Sequence, residues 1–315
     1  MMSVVDNQAY VHKQSECRHQ WLKNGRYFRS SDNMWIQKFR CKLCLAHRSE
    51  ATDDICFKQK KRHINAQIYG LLVSGVSQRR SAEILCVNRK TIIHKFLFLA
   101  KFAKTQLNKI NSTLPLAKVV EFDDLETFEH TKCKPLSVTL MVEYKTRRAL
   151  GFAVAQMPAK GLLSHLALRK YGHREDHRPK VRDELFASLK SLVAEGALIK
   201  SDKNPHYKPV VKKHFPNSKH QTFKGRRGCV VGQGELKRGG FDPLFSLNHT
   251  CAKLRADINR LFRRTWCTTK KPERLADHIA LMLLYHNYNI LKKSRISQHT
   301  FCNILFQWSE KPLVS

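Results

Sequence analysis

A cluster of acidic residues follows an apolar pair in the stretch "KVVEFDDLETFEH", residues 118–130. Five carboxylates fall within nine residues there, at Glu121, Asp123, Asp124, Glu126 and Glu129. The β-branched residues before them predict a β-strand, on which alternate side chains share one face. Glu121 and Asp123 are therefore expected on one face, and Asp124 on the other. Because neighbouring carboxylates repel one another unless a cation lies between them, this strand is a candidate metal site.

The acidic cluster is unusual because the chain as a whole is strongly basic. Lys and Arg total 58 against 25 Asp and Glu, which gives a formal net charge of +33. An excess of this size repels itself unless a polyanion neutralises it, so it indicates a nucleic-acid partner, with an anionic membrane a poor second. Basic residues recur from Lys13 to Lys311. We therefore expect contact with a phosphate backbone along much of the chain.

Length and composition limit the class of protein. A chain of 315 residues allows one medium domain and one or two small ones, and 42% hydrophobic residues suffice for real cores. No segment approaches the ~18 uncharged apolar residues of a membrane span. The first residues lack the order of a secretory signal, so we expect neither export nor membrane insertion. Ten cysteines in such a protein indicate thiols and metal ligands rather than a disulfide framework.

The first part of the chain, residues 1–57, contains clustered Cys and His with little apolar periodicity. The segments "ECRHQW" and "FRCKLC" supply four potential ligands, Cys17, His19, Cys41 and Cys44. Zinc takes four nitrogen or sulfur ligands in a tetrahedron, and a C-x-x-C knuckle presents two thiolates from one turn. We therefore predict a zinc-ribbon-like module that holds Zn²⁺. His12 and His47 are spare candidates for His19, and unliganded surface thiols are the plainer alternative.

The second part, residues 58–112, is basic and has helical periodicity. Apolar residues at i, i+4, i+7 and i+8 predict a first helix, Ser77 can cap a second, and Asn88 can cap a third. Two short helices around a tight turn suit a helix-turn-helix, in which the residues that open the last helix face the DNA major groove. The DNA-contacting candidates are Arg89, Lys90, Thr91, His94 and Lys95. The alternative is a three-helix bundle with a solvated basic face.

The third part, residues 113–315, alternates β-type and helical runs. Three antiparallel strands are predicted at "VVEFD", "LSVTLMVEY" and "ALGFAVAQ", followed by a helix that ends at Gly196 and a fourth strand that ends at Asp202. A short helix, a long one over "LNHTCAKLRADINRLFRRT" and a last one over "PERLADHIALMLLYHNYN" complete the order. This α/β pattern resembles ribonuclease H, in whose sheet the first and fourth strands are neighbours. Asp123 and Asp202 would then converge.

Asp123 and Asp202 form the candidate catalytic and metal-binding pair. Magnesium prefers oxygen ligands and typically takes one or two protein carboxylates, which leaves room for water and substrate phosphate. Two such ions about 3.5–4 Å apart could activate a nucleophile and stabilise the leaving oxygen of a phosphodiester. The alternative is that the acids balance nearby lysines at the surface, which suits Glu126 and Glu129 better.

The order of these features resembles a bacterial insertion-sequence transposase of the DDE type, closest to the insertion-element-one-like group. The resemblance covers about residues 15–290, and its most specific piece runs from Asn248 through "RLFRRT". It implies a ribonuclease H-like catalytic domain with Mg²⁺ or Mn²⁺, hydrolysis at the element's ends, and attack of the freed 3′-hydroxyl on target DNA. It also implies double-stranded DNA as the partner, a homo-oligomer on DNA, and a bacterial cytoplasmic protein at the nucleoid.

The third metal-binding position departs from the family pattern. Where the family carries Glu, this chain has Asn248, whose carbonyl oxygen can bind a metal but brings no charge. Glu235 in "GQGELKRGG" is the rival third ligand, and Asp242 is a weaker one. Arg255 and Arg263 lie on the same predicted helix as Asn248 and are expected to contact DNA phosphates.

Two other functional classes are compatible with parts of the sequence. A DNA-binding protein without chemistry, such as a repressor or an inactive transposase remnant, explains the charge, the Cys/His motif and the helix-turn-helix. It does not explain the converging acids. A host ribonuclease H-like nuclease explains the acids, but it does not explain the zinc-ribbon-like module and the helix-turn-helix.

Overall fold

The computed structural model describes residues 17–30, 33–224, 242–262 and 267–293. These residues form two compact units, one over 17–66 and one over 67–293. Three residues named from the sequence, His12, Glu235 and Arg263, lie outside the described ranges. The three-domain division expected from the sequence stays a prediction.

The first unit is built on a three-stranded antiparallel sheet in the order β1-β2-β3. The strands are β1 (Trp21–Arg29), β2 (Met34–Cys41) and β3 (His47–Ser49). Gly25 has a φ of +74°, in the left-handed region that favours glycine, and it lies where a bulge shifts the β1–β2 register. Few apolar side chains are buried in the described part of this unit, among them Ile36, Cys56 and Ile64. A core this small usually needs a further cross-link such as a metal.

Three helices follow, as the sequence predicts: α1 (Asn65–Val73), α2 (Gln78–Ile84) and α3 (Arg89–Thr113). Both predicted caps are confirmed. The Ser77 hydroxyl accepts a hydrogen bond from the Arg80 backbone N–H at 3.2 Å, and the Asn88 side chain accepts one from the Lys90 N–H at 2.8 Å. These bonds satisfy donors that have no partner inside the helix, which fixes where each helix starts.

A long helix near the C-terminal end, α8 (Pro272–Lys293), packs against α3 within the second unit. The Tyr69 hydroxyl donates a hydrogen bond to the Leu281 carbonyl at 3.2 Å, and His278 Nε2 lies 2.8 Å from the Leu72 carbonyl. Burial lowers the pKa of His278 to about 4, so this ring is neutral and donates that bond.

Within the described ranges, none of the helices is both long enough and apolar enough to cross a membrane.

The second unit also contains a five-stranded mixed sheet in the order β6-β5-β4-β7-β8. Its strands are β4 (Ala117–Phe128), β5 (Pro135–Glu143), β6 (Ala149–Gln156), β7 (Val193–Asp202) and β8 (Lys219–Phe223). β4, β5 and β6 pair antiparallel, while β7 is parallel to both β4 and β8. The mixed α/β class is confirmed, and the first and fourth strands of this sheet are neighbours, as a ribonuclease H-like sheet requires.

The helix before the fourth strand ends earlier than predicted. This helix, α5 (Arg178–Leu189), passes into a single 3₁₀ turn and then directly into β7, so Gly196 does not stop a helix. Gly196 lies inside β7 with a φ of +70°, in the segment where the β4–β7 register shifts. A glycine inside a strand often marks such an irregularity. Because Val193 pairs with Ala117 on β4, the chain from Val193 onward belongs to the strand and not to the helix.

The helix predicted over "LNHTCAKLRADINRLFRRT" is also interrupted. The helix α7 (Phe245–Asp257) stops before Ile258, whose backbone is extended, and a 3₁₀ turn follows at Asn259–Leu261. The break allows both Ile258 and Leu261 to be buried. Two short helices and one strand complete the unit: α6 (Tyr207–His214), predicted from the sequence, and α4 (Leu163–Tyr171) and β8, which the sequence did not reveal.

The core of the second unit centres on Phe122 of β4. Its ring centroid lies 4.9 Å from that of Phe186 on α5 and 4.8 Å from that of Tyr207 on α6, and all three residues are buried. Aromatic contacts of this kind bury much apolar surface and fix ring orientation. Phe122 therefore packs α5 and α6 against β4.

Two glycine substitutions should change stability in opposite directions. A Cβ at Gly151 on β6 would lie 2.8 Å from Leu189 Cδ2, so Gly151→Ala should lower the free energy of unfolding by about 1–3 kcal/mol through overpacking. A Cβ at Gly70 on α1 meets nothing within 4 Å, so Gly70→Ala should raise it by about 0.5–1 kcal/mol. Urea unfolding measures both. Equal effects of the two changes would contradict this packing of α5 on β6.

Candidate functional site

Four side chains predicted as zinc ligands lie together in the first unit. The potential ligand atoms of Cys17, His19, Cys41 and Cys44 all lie within 4.8 Å of one another. Cys17 Sγ is 3.8 Å from Cys41 Sγ, and His19 Nδ1 is 3.3 Å from Cys44 Sγ. The end of β2 and the turn after it present Cys41 and Cys44, while the chain before β1 presents the other two. The spare candidate His47 is not in the group.

These distances fit a tetrahedral zinc ion. Zn–S bonds of about 2.3 Å at tetrahedral angles separate two sulfurs by about 3.8 Å. A disulfide would instead bring the sulfurs to about 2.05 Å, so Cys17 and Cys41 are free thiols. Two thiols from one knuckle with a third thiol and an imidazole nitrogen form a common structural zinc set. The group could therefore hold Zn²⁺.

The pKa values of two thiols in this group diverge. Burial, together with hydrogen bonds to Cys44 and Cys41, raises the pKa of Cys17 to about 11. Burial also opposes ionisation of Cys41, but hydrogen bonds from the Cys44 backbone N–H and from His19 outweigh it and lower the pKa of Cys41 to about 5. A thiolate is thus favoured at one ligand position, and zinc binding requires thiolates.

The second group of predicted ligands lies on the central sheet. Glu121 on β4 is paired with Lys200 on the parallel strand β7. Two residues further along each strand are Asp123 and Asp202, so the two aspartates occupy neighbouring strands at the same level. Burial raises the pKa of Asp123 to about 6, and the nearby negative charge of Asp202 raises it as well. The fold therefore brings together the two acids that the sequence singled out.

Asp123 is held in place by a tyrosine of α6. The Tyr207 hydroxyl donates a hydrogen bond to Asp123 Oδ1 at 2.9 Å. Burial raises the pKa of Tyr207 far above its usual range, and the charges of Asp124 and Asp123 add to the effect, so the hydroxyl stays protonated and donates. One carboxylate oxygen of Asp123 is thereby oriented, and the other remains for a cation.

The neighbouring Asp124 has a different environment. Its Oδ2 accepts a hydrogen bond from the buried Arg182 at 2.5 Å, and its Oδ1 accepts one from the Thr139 hydroxyl at 2.6 Å. The Arg182 guanidinium also lies 4.7 Å from the centroid of the Tyr207 ring. Asp124 is thus paired with an arginine inside the protein, which is a structural role. Asp123 has no such ion pair among the residues that the structure describes.

Glu121, the third acid of the strand, anchors the helix that carries Asn248. It is fully buried, and its Oε2 accepts a hydrogen bond from the Leu247 N–H in the first turn of α7 at 2.9 Å. A carboxylate there satisfies helix donors and interacts favourably with the helix dipole. Burial raises the pKa of Glu121, and the charge of Lys200 on β7 opposes that rise. Glu121 therefore fixes α7 over the Asp123 face of the sheet.

Asn248 and Asp242, two candidates for the third ligand, are hydrogen-bonded to each other. Asn248 Nδ2 donates to Asp242 Oδ2 at 2.8 Å, which leaves the amide oxygen of Asn248 for another partner. The negative charge of Asp242 contributes to the raised pKa of Glu121, so both candidates lie near the acidic strand. On the next turn of α7, burial raises the pKa of Cys251 to about 12, and the charge of Asp123 contributes. Glu235, the rival candidate, lies outside the described residues.

Asp123 lies near other oxygen donors. Burial raises the pKa of Asp123 and the negative charge of Asp202 adds to the rise, so a cation close to the two carboxylates would lower the cost of their charges. Two carboxylates and an amide oxygen are ligands of the type that Mg²⁺ and Mn²⁺ accept. Asp123, Asp202 and Asn248 are the residues that could hold such an ion.

The residues predicted to contact DNA do not all share one surface. Arg89, Lys90 and His94 are exposed at the start of α3, and Thr91 is half-buried. Lys95 is only 6% exposed, which corrects the prediction that it contacts DNA. It falls on the inner stripe of α3 because it follows Ile92 by three residues and precedes Leu99 by four, and both are buried. In the described part of α7, Arg255 is exposed.

Two positioning residues were not found from the sequence. Tyr207 lies five residues after Asp202 in "SDKNPHY", and Arg182 lies within the predicted helix before the fourth strand. The position of a tyrosine shortly after a strand-terminal aspartate is a sequence feature that could have revealed the role of Tyr207. A buried arginine on an amphipathic helix gives no local sign of its partner, because Asp124 lies 58 positions away.

The chain matches no known protein-family model, and no curated protein matches it. Among solved structures, it is similar to a chain in the crystal structure of the Mos1 strand transfer complex. The two chains share 11% sequence identity over 75% of this chain and 79% of the other, with a TM-score of 0.23. A TM-score this low does not establish a shared fold.

Loss of two knuckle thiols should remove zinc. The Cys41→Ser/Cys44→Ser double variant should lose about one zinc per chain relative to wild type, because two of four ligands are absent. Atomic absorption on purified full-length protein measures this. Cys86→Ser is the matched control, since Cys86 is an exposed free thiol outside the group, and it should retain zinc. Equal zinc contents in all three proteins would show that the group binds none.

In protein without divalent metal, the charged Asp123 carboxylate should lower the free energy of unfolding. Its pKa is about 6 in the folded state against 3.8 in a model peptide, so the folded state binds the proton more tightly. The free-energy cost of the ionised carboxylate is fully present above pH 6 and disappears below about pH 4. Asp123→Asn should therefore raise the free energy of unfolding by about 2–3 kcal/mol at pH 7, and this gain should shrink as the pH falls.

Urea unfolding at several pH values, without Mg²⁺ or Mn²⁺, measures the effect of Asp123→Asn. Glu126→Gln is the control on the same strand, because Glu126 is exposed and pairs with Lys160 at 2.6 Å. It should change stability little at any pH. A gain for Asp123→Asn that does not depend on pH would contradict the raised pKa.

Proposed function

We propose that this chain is a metal-dependent DNA transposase of the DDE type, with Asn248 at the third metal-binding position. The observation that carries the proposal is the neighbouring position of Asp123 and Asp202 on two parallel strands of a strongly basic chain. The strand order, with the first and fourth strands adjacent, supports a ribonuclease H-like catalytic region. The raised pKa of Asp123 supports a cation between the two acids.

In this proposal, the residues of the sheet and of α7 prepare a phosphodiester for cleavage. Asp123, Asp202 and Asn248 would hold Mg²⁺ or Mn²⁺. Bound divalent ions supply activation of a water or 3′-hydroxyl nucleophile and stabilisation of the leaving oxygen. Tyr207 orients the Asp123 carboxylate through its hydrogen bond, and Glu121 holds α7 so that Asn248 stays near it. Hydrolysis at the element's ends would be followed by attack of the freed 3′-hydroxyl on target DNA.

The proposed partner is double-stranded DNA, both the element's ends and the target. The exposed basic residues that open α3 would read the ends as part of a helix-turn-helix, and the Zn²⁺-stabilised first unit would add contacts. Exposed Arg255 would contact phosphates near the scissile bond. Assembly as a homo-oligomer on DNA belongs to the same proposal, because joining two ends to one target needs two sets of catalytic residues.

Strand cleavage with purified full-length protein tests the proposal. The substrate is DNA carrying the two segments that flank the coding region, with Mg²⁺ or Mn²⁺, and nicked and joined products are separated on a gel. Asp123→Asn and Asp202→Asn should each reduce cleavage at least about a hundredfold, because each removes a charged metal ligand. Glu126→Gln, an exposed acid on the same strand, should cleave like wild type. Cleavage by Asp123→Asn at the wild-type rate would overturn the proposal.

The same assay distinguishes the third ligand and the competing functions. Loss of cleavage in Asn248→Ala, with activity kept in Asp242→Asn, is the expected result, and the reverse would assign the position to Asp242. End binding without cleavage by wild-type protein would indicate a DNA-binding protein without chemistry. Cutting of any duplex or hybrid, irrespective of the ends, would indicate a ribonuclease H-like nuclease.

A further inference from the structure

One face of the three-stranded sheet in the first unit carries a row of aromatic side chains. Residues directly opposite each other on paired strands share a face. Phe28 is opposite Trp35, Lys23 is opposite Phe39, and Trp21 is opposite Cys41. Trp35, Phe39 and Cys41 alternate along β2, so all of these positions lie on one side. We refer to Trp21, Phe28, Trp35 and Phe39 as the aromatic face.

Positively charged side chains lie between the aromatic rings. Lys23 and Arg26 share the aromatic face through their partners on β2, Phe39 and Gln37. Arg48 on β3 is opposite Phe39, and its guanidinium lies 5.1 Å from the centroid of the Trp21 ring and 6.0 Å from that of Phe39. Rings interleaved with cations combine π-surfaces for bases with charges for phosphates.

The outer end of the aromatic face is open to solvent. Phe28 is 50% exposed and Trp35 is 63% exposed, and their ring centroids are 5.5 Å apart. On the opposite face of the same strand, Ile36 is buried. A single cross-strand aromatic pair is worth only about 0.2–1 kcal/mol to a hairpin. Hairpin stability alone therefore does not account for a row of four rings with three cations among them.

Charge on this unit favours an anionic partner. Residues 17–66 contain twelve Lys and Arg against four Asp and Glu. Three of the acids already have partners: Asp53 pairs with Arg48 at 2.9 Å, Asp54 pairs with Arg62 at 2.5 Å, and Glu50 accepts a hydrogen bond from the Gln37 N–H. A membrane or an acidic protein would also complement the positive charge, but a single-stranded nucleic acid in addition offers a regular series of flat bases that can stack on the aromatic side chains.

We propose that the aromatic face binds single-stranded DNA. Unpaired bases would stack on Phe28 and Trp35, and the phosphates would contact Lys23 and Arg26. Bases inside a duplex are stacked on one another and cannot offer their faces, whereas unpaired bases can. The inference deepens the proposed function, because strand cleavage and joining create DNA with unpaired segments. Binding of this kind tolerates sequence differences, since every base has a π-face.

The test measures the affinity of zinc-loaded full-length protein for a fluorescein-labelled oligo-dT of twelve nucleotides. Fluorescence anisotropy without Mg²⁺ or Mn²⁺ avoids cleavage. Phe28→Ala/Trp35→Ala should weaken binding by at least about tenfold, and Trp35→Phe should restore most of it, because a phenyl ring still stacks. Lys23→Ala/Arg26→Ala should reduce the slope of log affinity against log salt by about 1.4, at about 0.7 for each lost phosphate contact on a single strand.

Leu22→Ala is the matched control, because Leu22 is 55% exposed on the same strand but opposite Arg40, on the other face. It should leave oligo-dT affinity unchanged. Zinc content and thermal midpoint should match wild type in every variant, since the substituted side chains are largely exposed. Wild-type oligo-dT affinity in Phe28→Ala/Trp35→Ala would overturn the inference. Equal weakening for a duplex of the same length would overturn it too, as would tighter binding of oligo-rU than of oligo-dT.

These outcomes are separable from those of the proposed function. If Asp123→Asn abolishes cleavage while Phe28→Ala/Trp35→Ala keeps oligo-dT affinity, the transposase proposal stands and the aromatic-face inference fails. If the double variant loses oligo-dT affinity while wild-type protein cleaves no DNA, the inference stands on binding alone and the catalytic proposal fails.

Discussion

The parallel pairing of β4 with β7 is the interaction on which the candidate site depends. It sets Glu121 opposite Lys200 and carries the next residues on each strand, Asp123 and Asp202, to neighbouring positions. Because side chains alternate between the faces of a strand, the same pairing sends Asp123 and Asp124 into different surroundings. Asp124 meets Arg182 and is neutralised inside the protein, while Asp123 meets another carboxylate. One strand thereby supplies both a structural ion pair and a carboxylate that we propose binds a cation.

Three acidic residues on β4 have different partners, in a basic chain with few acidic residues. Glu121 accepts a hydrogen bond from the first turn of α7, Asp124 pairs with the buried Arg182, and Asp123 accepts a hydrogen bond from the Tyr207 hydroxyl. The first two acids each bind a group on a helix that packs against the sheet. Asp123 lies near another carboxylate, and burial together with the charge of Asp202 raises its pKa to about 6 and makes its charged form costly. Destabilised charges of this kind concentrate at functional sites, where a ligand offsets the cost.

The first unit relies on a different constraint, because it buries few apolar residues in its described part. The group of Cys17, His19, Cys41 and Cys44 connects the chain before β1 with the turn after β2, and the His19 ring lies 4.7 Å from that of Trp21. A bound ion would hold that end of the sheet rigid. The aromatic face begins at Trp21 and extends along β1 and β2 away from the Cys/His group, so the metal site would support the surface that we propose for single-stranded DNA.

Local patterns in the sequence determined the features that depend on spacing alone. The group of four Cys and His residues, the caps Ser77 and Asn88, and the strands that carry the two aspartates follow from short motifs whose geometry is set by the backbone. Only the tertiary structure decided the rest. Lys95 is buried and Gly196 lies in a strand because packing and strand pairing between distant segments override local propensity. For the same reason, the partner of Glu121 on α7 and the arginine that pairs with Asp124 became visible only after folding, since they lie 126 and 58 positions away along the chain.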